Sequence, residues 1–303
     1  SLVAQAEKNS KLVALDADLV LDCGLIPFME RFPDRYIECG IAEQDMVSQA
    51  GALALSGMMP VVHSFACFLS TRPNEQIYNN ASEQTKVMYV GSLAGLLPAV
   101  PGHSHQSVRD ISILAATPNM VLLQPCNEKE VEMAVDYCLN ESSGSTYLRL
   151  VSIPCAIPFM LPPGYSLEEG RGVVVRDGSD AVIFAYGPVM LVEAYKAAEL
   201  LQDQYGVSLK VVNLPWLNCV DSEWLATMIE GIKFVFTLDD HYTTGGQGDM
   251  LLSKMTEAGM VGDRQCRKFG VEELPLCGLG EEVLHAHGLD AVSLADRMKY
   301  IMD

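Results

Sequence analysis

The chain has 303 residues, 49% of them hydrophobic, with 39 acidic against 20 basic side chains and a formal net charge of −19. A chain of this length divides into two domains, each able to bury a sizeable core. The negative charge argues against nucleic acid and anionic membrane surfaces as partners, and it makes a phosphorylated ligand depend on a local basic pocket, a metal or another chain.

Nine cysteines are scattered without a C-x-x-C pair or a zinc-type Cys–His spacing, so they read as free thiols in a reducing compartment. The sequence shows no signal segment, and its apolar runs fall short of the roughly 20 residues that span a bilayer. A soluble, cytoplasmic protein is the expectation.

Residues 12–15 predict a strand that runs into Asp16 and Asp18. A second short strand, 36–37, stops near Gly40, and a helix begins within two residues. That helix, about 42–56, keeps Met46, Val47, Ala50, Leu53 and Ala54 on one spacing and ends at Gly57. A strand over 59–62 leads to His63-Ser-Phe65-Ala-Cys-Phe68, then Arg72, with Pro73 in the first turn of a helix over 74–80. Next come a strand at 87–90, a loop at 91–105 rich in Gly, Pro and Leu, and a helix at 107–115. Strands at 120–123 and 147–150 flank a helix over 128–139. The Pro-rich stretch between Ser152 and Gly170 has little periodicity and reads as a linker. Beyond it the spacing predicts strands near 172–175, 181–185, 209–212 and 234–238. Helices are predicted near 189–204, 222–229, 247–258 and 292–301. The alternation implies an α/β protein of two mostly parallel β-sheet domains, each covered by helices. The expected organisation is a first domain over 1–155, a linker over 156–170 and a second domain over 171–303.

The junction near Gly40 places Glu43 at a helix start and at the carboxyl end of a strand, where open α/β sheets put their ligands. Spacing alone equally suits a first-turn glutamate complementing the helix dipole. Phe65 and Phe68 likewise suit a core, His105 a loop histidine held by backbone, and Arg72 a surface ion pair.

The motifs Arg35-x-Ile-Glu-Cys-Gly-Ile-Ala-Glu43-Gln44, Ser64-Phe65-x-x-Phe68, Arg72-x-x-Glu-Gln-Ile77, His105-Gln106 and Thr117-Pro-Asn-Met120 occur in this order. Together they resemble the pyrimidine-binding domain of the transketolase family. The residues after about 170, with Asp239-Asp-His241 and Gly245-Gly-x-Gly248, resemble that family's C-terminal domain. The resemblance implies that Glu43 binds N1′ of the aminopyrimidine ring of thiamine diphosphate, with Phe68 stacked on the ring and Phe65 lining its pocket. It implies catalytic roles for Glu43 and His105, cofactor contacts for Asp18 and Arg72, and substrate contacts for His103, His105 and Gln106. It assigns the second domain no cofactor role, so the glycines there read as a tight strand-to-helix turn. The His285-x-His287 pair lacks further ligands nearby, and no metal site is expected there.

Two departures from the family pattern shape the functional expectation. The family holds the diphosphate through Mg²⁺ on a separate domain, marked by a GDG sequence and an Asn some thirty residues later, and no such pair occurs here. Half of the active site is expected from a pyrophosphate-binding N-terminal subunit in an α2β2 heterotetramer, unless the chain is a fragment. In addition, sugar-phosphate transketolases carry Asp-Gly-Pro-Thr-His-Gln, where this chain has Pro101-Gly-His-Ser-His-Gln106. Leu93 occupies an earlier His position, and Val151-Ser152 stands where an Arg is expected. The expected function is transfer of a two-carbon ketol or related acyl unit to an aldehyde-type acceptor that is not a typical sugar phosphate. The alternatives are a 1-deoxyxylulose-5-phosphate-synthase-like or 2-oxoacid-dehydrogenase-β-like subunit, and a regulatory subunit that keeps the fold without the chemistry.

Overall fold

In the computed structural model, which describes residues 1–303, the aliphatic runs of the first half become α1 (Leu2–Lys8), β1 (Leu12–Asp16), α2 (Ile26–Arg31), β2 (Tyr36–Glu38), α3 (Glu43–Leu55), β3 (Met59–Phe65), α4 (Ala66–Thr71), α5 (Asn74–Ser82), β4 (Met88–Ser92), α6 (Asp110–Leu114), β5 (Met120–Leu123), α7 (Glu128–Asp136) and β6 (Ser145–Arg149). The second half supplies β7 (Val173–Arg176), β8 (Ala181–Ala185), α8 (Pro188–Tyr205), β9 (Leu209–Asn213), α9 (Ser222–Met228), β10 (Phe234–Tyr242), α10 (Gln247–Glu257), β11 (Gln265–Val271), α11 (Gly280–Ala286) and α12 (Ala291–Met302). Between Arg149 and Val173 there is neither helix nor strand.

The first sheet has the order β2-β1-β3-β4-β6-β5 and is parallel throughout. The second has the order β11-β10-β8-β9-β7, with β7 alone antiparallel. Strands covered on both sides read as continuous apolar runs, and β1, β3 and β4 are buried at every position. Alternate residues of the first sheet face two cores. Val13, Leu15, Val62 and Tyr89 pack with Met46, Val47 and Ala50 of α3. Val61, Met88, Val90 and Leu148 pack with Phe28 and Val135 on the opposite side. Two α/β layers of this kind match the architecture the alternation implied.

Five elements go beyond the expected list. α1 and α2 lie in stretches without a clean apolar period. α4 follows β3 without any break residue, so the apolar run around Phe65 hid the change from strand to helix. β11 alternates exposed and half-buried residues in its first half, and α11 has only seven residues. Pro73 caps α5 rather than entering its first turn.

The second domain is fastened to the first by a buried polar seam. Arg149, at the end of β6, is wholly buried. Its Nε donates to Asp110 (2.8 Å), its Nη2 to the carbonyls of Ser107 and Asp240 (2.7 Å each), and its Nη1 to Gln124. Tyr147 donates to the same Asp110 carboxylate (2.8 Å). Asp240 accepts from the backbone N–H of Leu96 (2.8 Å), and His241 Nε2 accepts from that of Ser112 (3.3 Å). The neighbouring Asp239 accepts from the N–H groups of Gln247 and Gly248 at the start of α10. A Cβ on Gly246 would meet Asp239 Oδ1 at 2.6 Å, so this approach requires glycine. The acidic-His and glycine motifs of the second domain are therefore spent on docking and capping.

Removing one partner of a buried ion pair leaves an uncompensated charge, which typically costs about 3–5 kcal/mol. Arg149→Met is expected to lose that much stability in urea denaturation, and a loss below about 1 kcal/mol would show that the seam does not hold the domains.

Candidate functional site

Chain order reverses direction between β1 and β3, because β1 leads to β2 on one side and β3 lies on the other. Such a switch point opens a crevice at the carboxyl ends of the strands. β2 ends at Glu38, whose Oε1 accepts from the backbone N–H of Gly40 (2.7 Å). Gly40 has φ +67, a left-handed conformation that turns the chain abruptly into α3. Ala42 caps that helix without a side-chain hydrogen bond, and Glu43 is its first residue. The carboxyl end of β3, at Phe65, bends directly into α4, which carries Phe68 to the same edge. The loop after β4 brings His105.

These residues meet. The ring centroids of Phe65 and Phe68 lie 5.7 Å apart, and His105 sits edge-on to both, at 6.0 and 5.3 Å. Glu43, only 3% exposed, forms an ion pair with Arg72. The Arg72 guanidinium in turn lies over the Phe68 ring, 3.9 Å from its centroid. His105 Nδ1 is 3.0 Å from the Ser104 hydroxyl. Glu43, Phe65, Phe68, Arg72 and His105 thus form one contiguous cluster from three separate segments of the chain.

The other expected residues lie apart from it. Asp18 is exposed and has φ +60, and its backbone N–H donates to Glu38 (2.9 Å). The buried carboxyl at the end of β1 is instead Asp16, the last residue of the strand, whereas the chain has left the sheet by Asp18. Burial pushes Asp16 up to about 6, and nearby Glu38 adds to the effect. His103 is exposed. Gln106 is buried, and its amide donates to the carbonyls of Leu96 and Leu276 (3.0 Å each), so its donor hydrogens tie the loop to the second domain rather than face the cluster. Sequence spacing gave no sign of this, since Leu276 lies 170 residues away.

Where the family pattern has cations, this edge is neutral. Leu93 and Ser152 are neighbours, the backbone N–H of Leu93 donating to the Ser152 hydroxyl (3.1 Å), and Arg149 is committed to the seam.

The geometry fits the planar heteroaromatic ring that the resemblance implies. A guanidinium is itself flat, delocalised and hydrogen-bonding, and here one such group lies on Phe68 and reaches Glu43 at once. For a diphosphate and its metal the chain offers much less. No group of three or more His, Cys, Asp or Glu side chains is placed to hold a metal ion.

An apolar cavity of about 250 Å³ lies on the opposite face of the first sheet, lined by residues including Phe28, Val61, His63 and Met88. Its location separates it from the cluster. His63 is buried there, its Nε2 2.9 Å from the Ser92 hydroxyl, and burial pushes its pKa down to about 4. A histidine whose folded pKa lies below the unfolded value of about 6.5 contributes stability that is intact above that pH and declines as the pH falls toward 4. In NMR titration the His63 ring is expected to stay neutral down to pH 5, and protonation with a midpoint above 6 would contradict its burial.

Known proteins resemble the chain in both halves. Residues 1–152 match the model of the transketolase pyrimidine-binding domain, and residues 170–294 that of the transketolase C-terminal domain. A putative transketolase C-terminal section from Methanocaldococcus jannaschii is 30% identical over 300 residues, covering 98% of this chain and 92% of that protein. The 1-deoxy-D-xylulose-5-phosphate synthase of Synechococcus sp. (strain WH7803) is 34% identical over 259 residues, 85% of this chain but 39% of the synthase. The chain spans less than half the length of the synthases it matches. Among solved structures, a split-gene transketolase described as an inactive β4 tetramer superposes with a TM-score of 0.85 at 29% identity, covering 99% of this chain and 95% of that one.

Proposed function

The chain belongs to the transketolase family, and on that premise we propose that it is the C-terminal subunit of a two-component, thiamine-diphosphate-dependent enzyme that transfers a two-carbon unit to an aldehyde-type acceptor. The observation that carries this reading is the buried Glu43 at the switch-point edge, held within reach of the Phe65, Phe68 and His105 cluster. When bound, thiamine diphosphate supplies a carbon nucleophile that attacks the donor's carbonyl group.

The protein's own residues prepare that chemistry. Glu43 hydrogen-bonds the ring nitrogen N1′ and holds the proton whose placement there tunes the ring's basicity. Phe68 offers its face to the ring, and Phe65 keeps water from its edge. His105, half-buried and free at Nε2, stands where a substrate hydroxyl or carbonyl oxygen can receive a proton. The diphosphate and Mg²⁺ belong to a pyrophosphate-binding N-terminal subunit, with an α2β2 assembly bringing the two halves together. Support for this comes from a relative that is a putative transketolase C-terminal section, and from a split-gene transketolase whose β4 tetramer is inactive.

The neutral contact between Leu93 and Ser152 supports an acceptor without a phosphate group, because a fixed guanidinium is hard to replace for that task. The relatives favour a second reading over this one, a synthase-like reaction whose donor is a 2-oxoacid that loses CO₂, because several of them are 1-deoxy-D-xylulose-5-phosphate synthases, at up to 34% identity. Supplying the assembled pair with a ketose or with pyruvate and following CO₂ release separates the two.

Glu43→Gln is expected to slow deuterium exchange at C2 of bound thiamine diphosphate by at least about 100-fold, with the fold intact by circular dichroism. Near-normal exchange in that variant would remove Glu43 from the mechanism.

A further inference from the structure

The two contacts proposed for the aminopyrimidine ring, a stack on Phe68 and a hydrogen bond to Glu43, are both already made by Arg72. One planar cation therefore fills the place of one planar ring. Arg72 ends α4, where the next residue, Pro73, starts a new helix, and its side chain is 40% exposed against 4% for Glu43. The head group thus enters the site from the solvent side.

How Arg72 is held distinguishes it from Arg35 and Arg149. Arg35 also lies over an aromatic ring, 3.9 Å from the Phe32 centroid, but it is pinned by the carbonyls of Ala6 and Asn9. Arg149 has four acceptors and no exposure. The Arg72 guanidinium has one acceptor, Glu43, and one aromatic face. Both are groups the cofactor itself would take.

We infer that Arg72 is a built-in occupant of the pyrimidine site: it covers Glu43 and Phe68 while the site is empty and swings outward when the ring arrives. This rests on the functional reading above and adds a gating step to it. The physical reason for such a device is that a buried carboxylate without a partner is costly. Glu43 needs a partner in a chain that waits for a second subunit before it can retain its cofactor. A partly exposed ion pair and a single cation–π stack are each weak enough to be displaced. They are also strong enough together to keep the site closed most of the time.

A binding-competent state populated about one-tenth of the time weakens apparent affinity about tenfold, and removing the occupant restores it. The test is a titration of thiamine diphosphate, with Mg²⁺ present, into the assembled pair of subunits carrying wild-type chain, Arg72→Met or Arg72→Lys, together with stopped-flow association kinetics. Arg72→Met is expected to bind roughly tenfold tighter than wild type, with Arg72→Lys in between. Wild-type association rates should level off with rising cofactor concentration as the swing becomes limiting, and those of Arg72→Met should rise linearly. Equal or weaker binding by Arg72→Met, with the Arg72→Lys pair showing the same trend, would overturn the inference and mark Arg72 as a bystander or a cofactor ligand. Failure of the wild-type pair to bind the cofactor at all would overturn the functional reading and this inference with it.

Discussion

The placement of the His105 loop in the candidate site depends on the buried charge of Arg149. Its guanidinium is fully desolvated, and such a charge persists only where its hydrogen bonds are satisfied. Asp110, Gln124 and the carbonyls of Ser107 and Asp240 satisfy them. The same arrangement fixes both ends of the loop that presents His105, because Asp240 holds the N–H of Leu96 and Arg149 holds the carbonyl of Ser107. Gln106 adds a third tie, to Leu276. The second domain thereby sets where His105 stands.

The cofactor edge itself follows from topology. A parallel sheet that changes direction between β1 and β3 leaves its crevice beside β2 and β3. Glu43 follows one of these strands and Phe65 ends the other, so residues more than twenty positions apart meet without any long loop. The opposite face of the sheet buries α2 and α7 and leaves a separate apolar cavity. The two faces of the layer are thus packed, and the cluster stands at its carboxyl edge.

Much of this was legible in the sequence because both sheets are mostly parallel and covered. Buried strands and amphipathic helices alternate with clear periods, and the ordered motifs around Glu43, Phe65 and Phe68 name the cluster. What escaped notice was decided by long-range contacts. Gln106 sits in the same short loop as His105, yet its amide faces Leu96 and Leu276. Asp16 and Asp18 differ by two residues, and the strand end turns only the first inward. Arg72 reads as an arginine of undecided role until the fold brings Glu43, 29 residues away, against it. α4 and β11 were hidden for local reasons, one by an unbroken apolar run and the other by a polar first half.

On the proposed function, this chain holds thiamine diphosphate by one end only. Its charge of −19 repels a diphosphate, it offers no metal-binding group of three or more acidic, His or Cys side chains, and its ring site stands at an open edge. The most direct measurement is equilibrium dialysis of labelled thiamine diphosphate with Mg²⁺ against this chain, its N-terminal partner subunit and their mixture. The account predicts stoichiometric retention by the mixture and none by this chain alone. Tight retention by this chain alone, or no retention by the mixture, would contradict it.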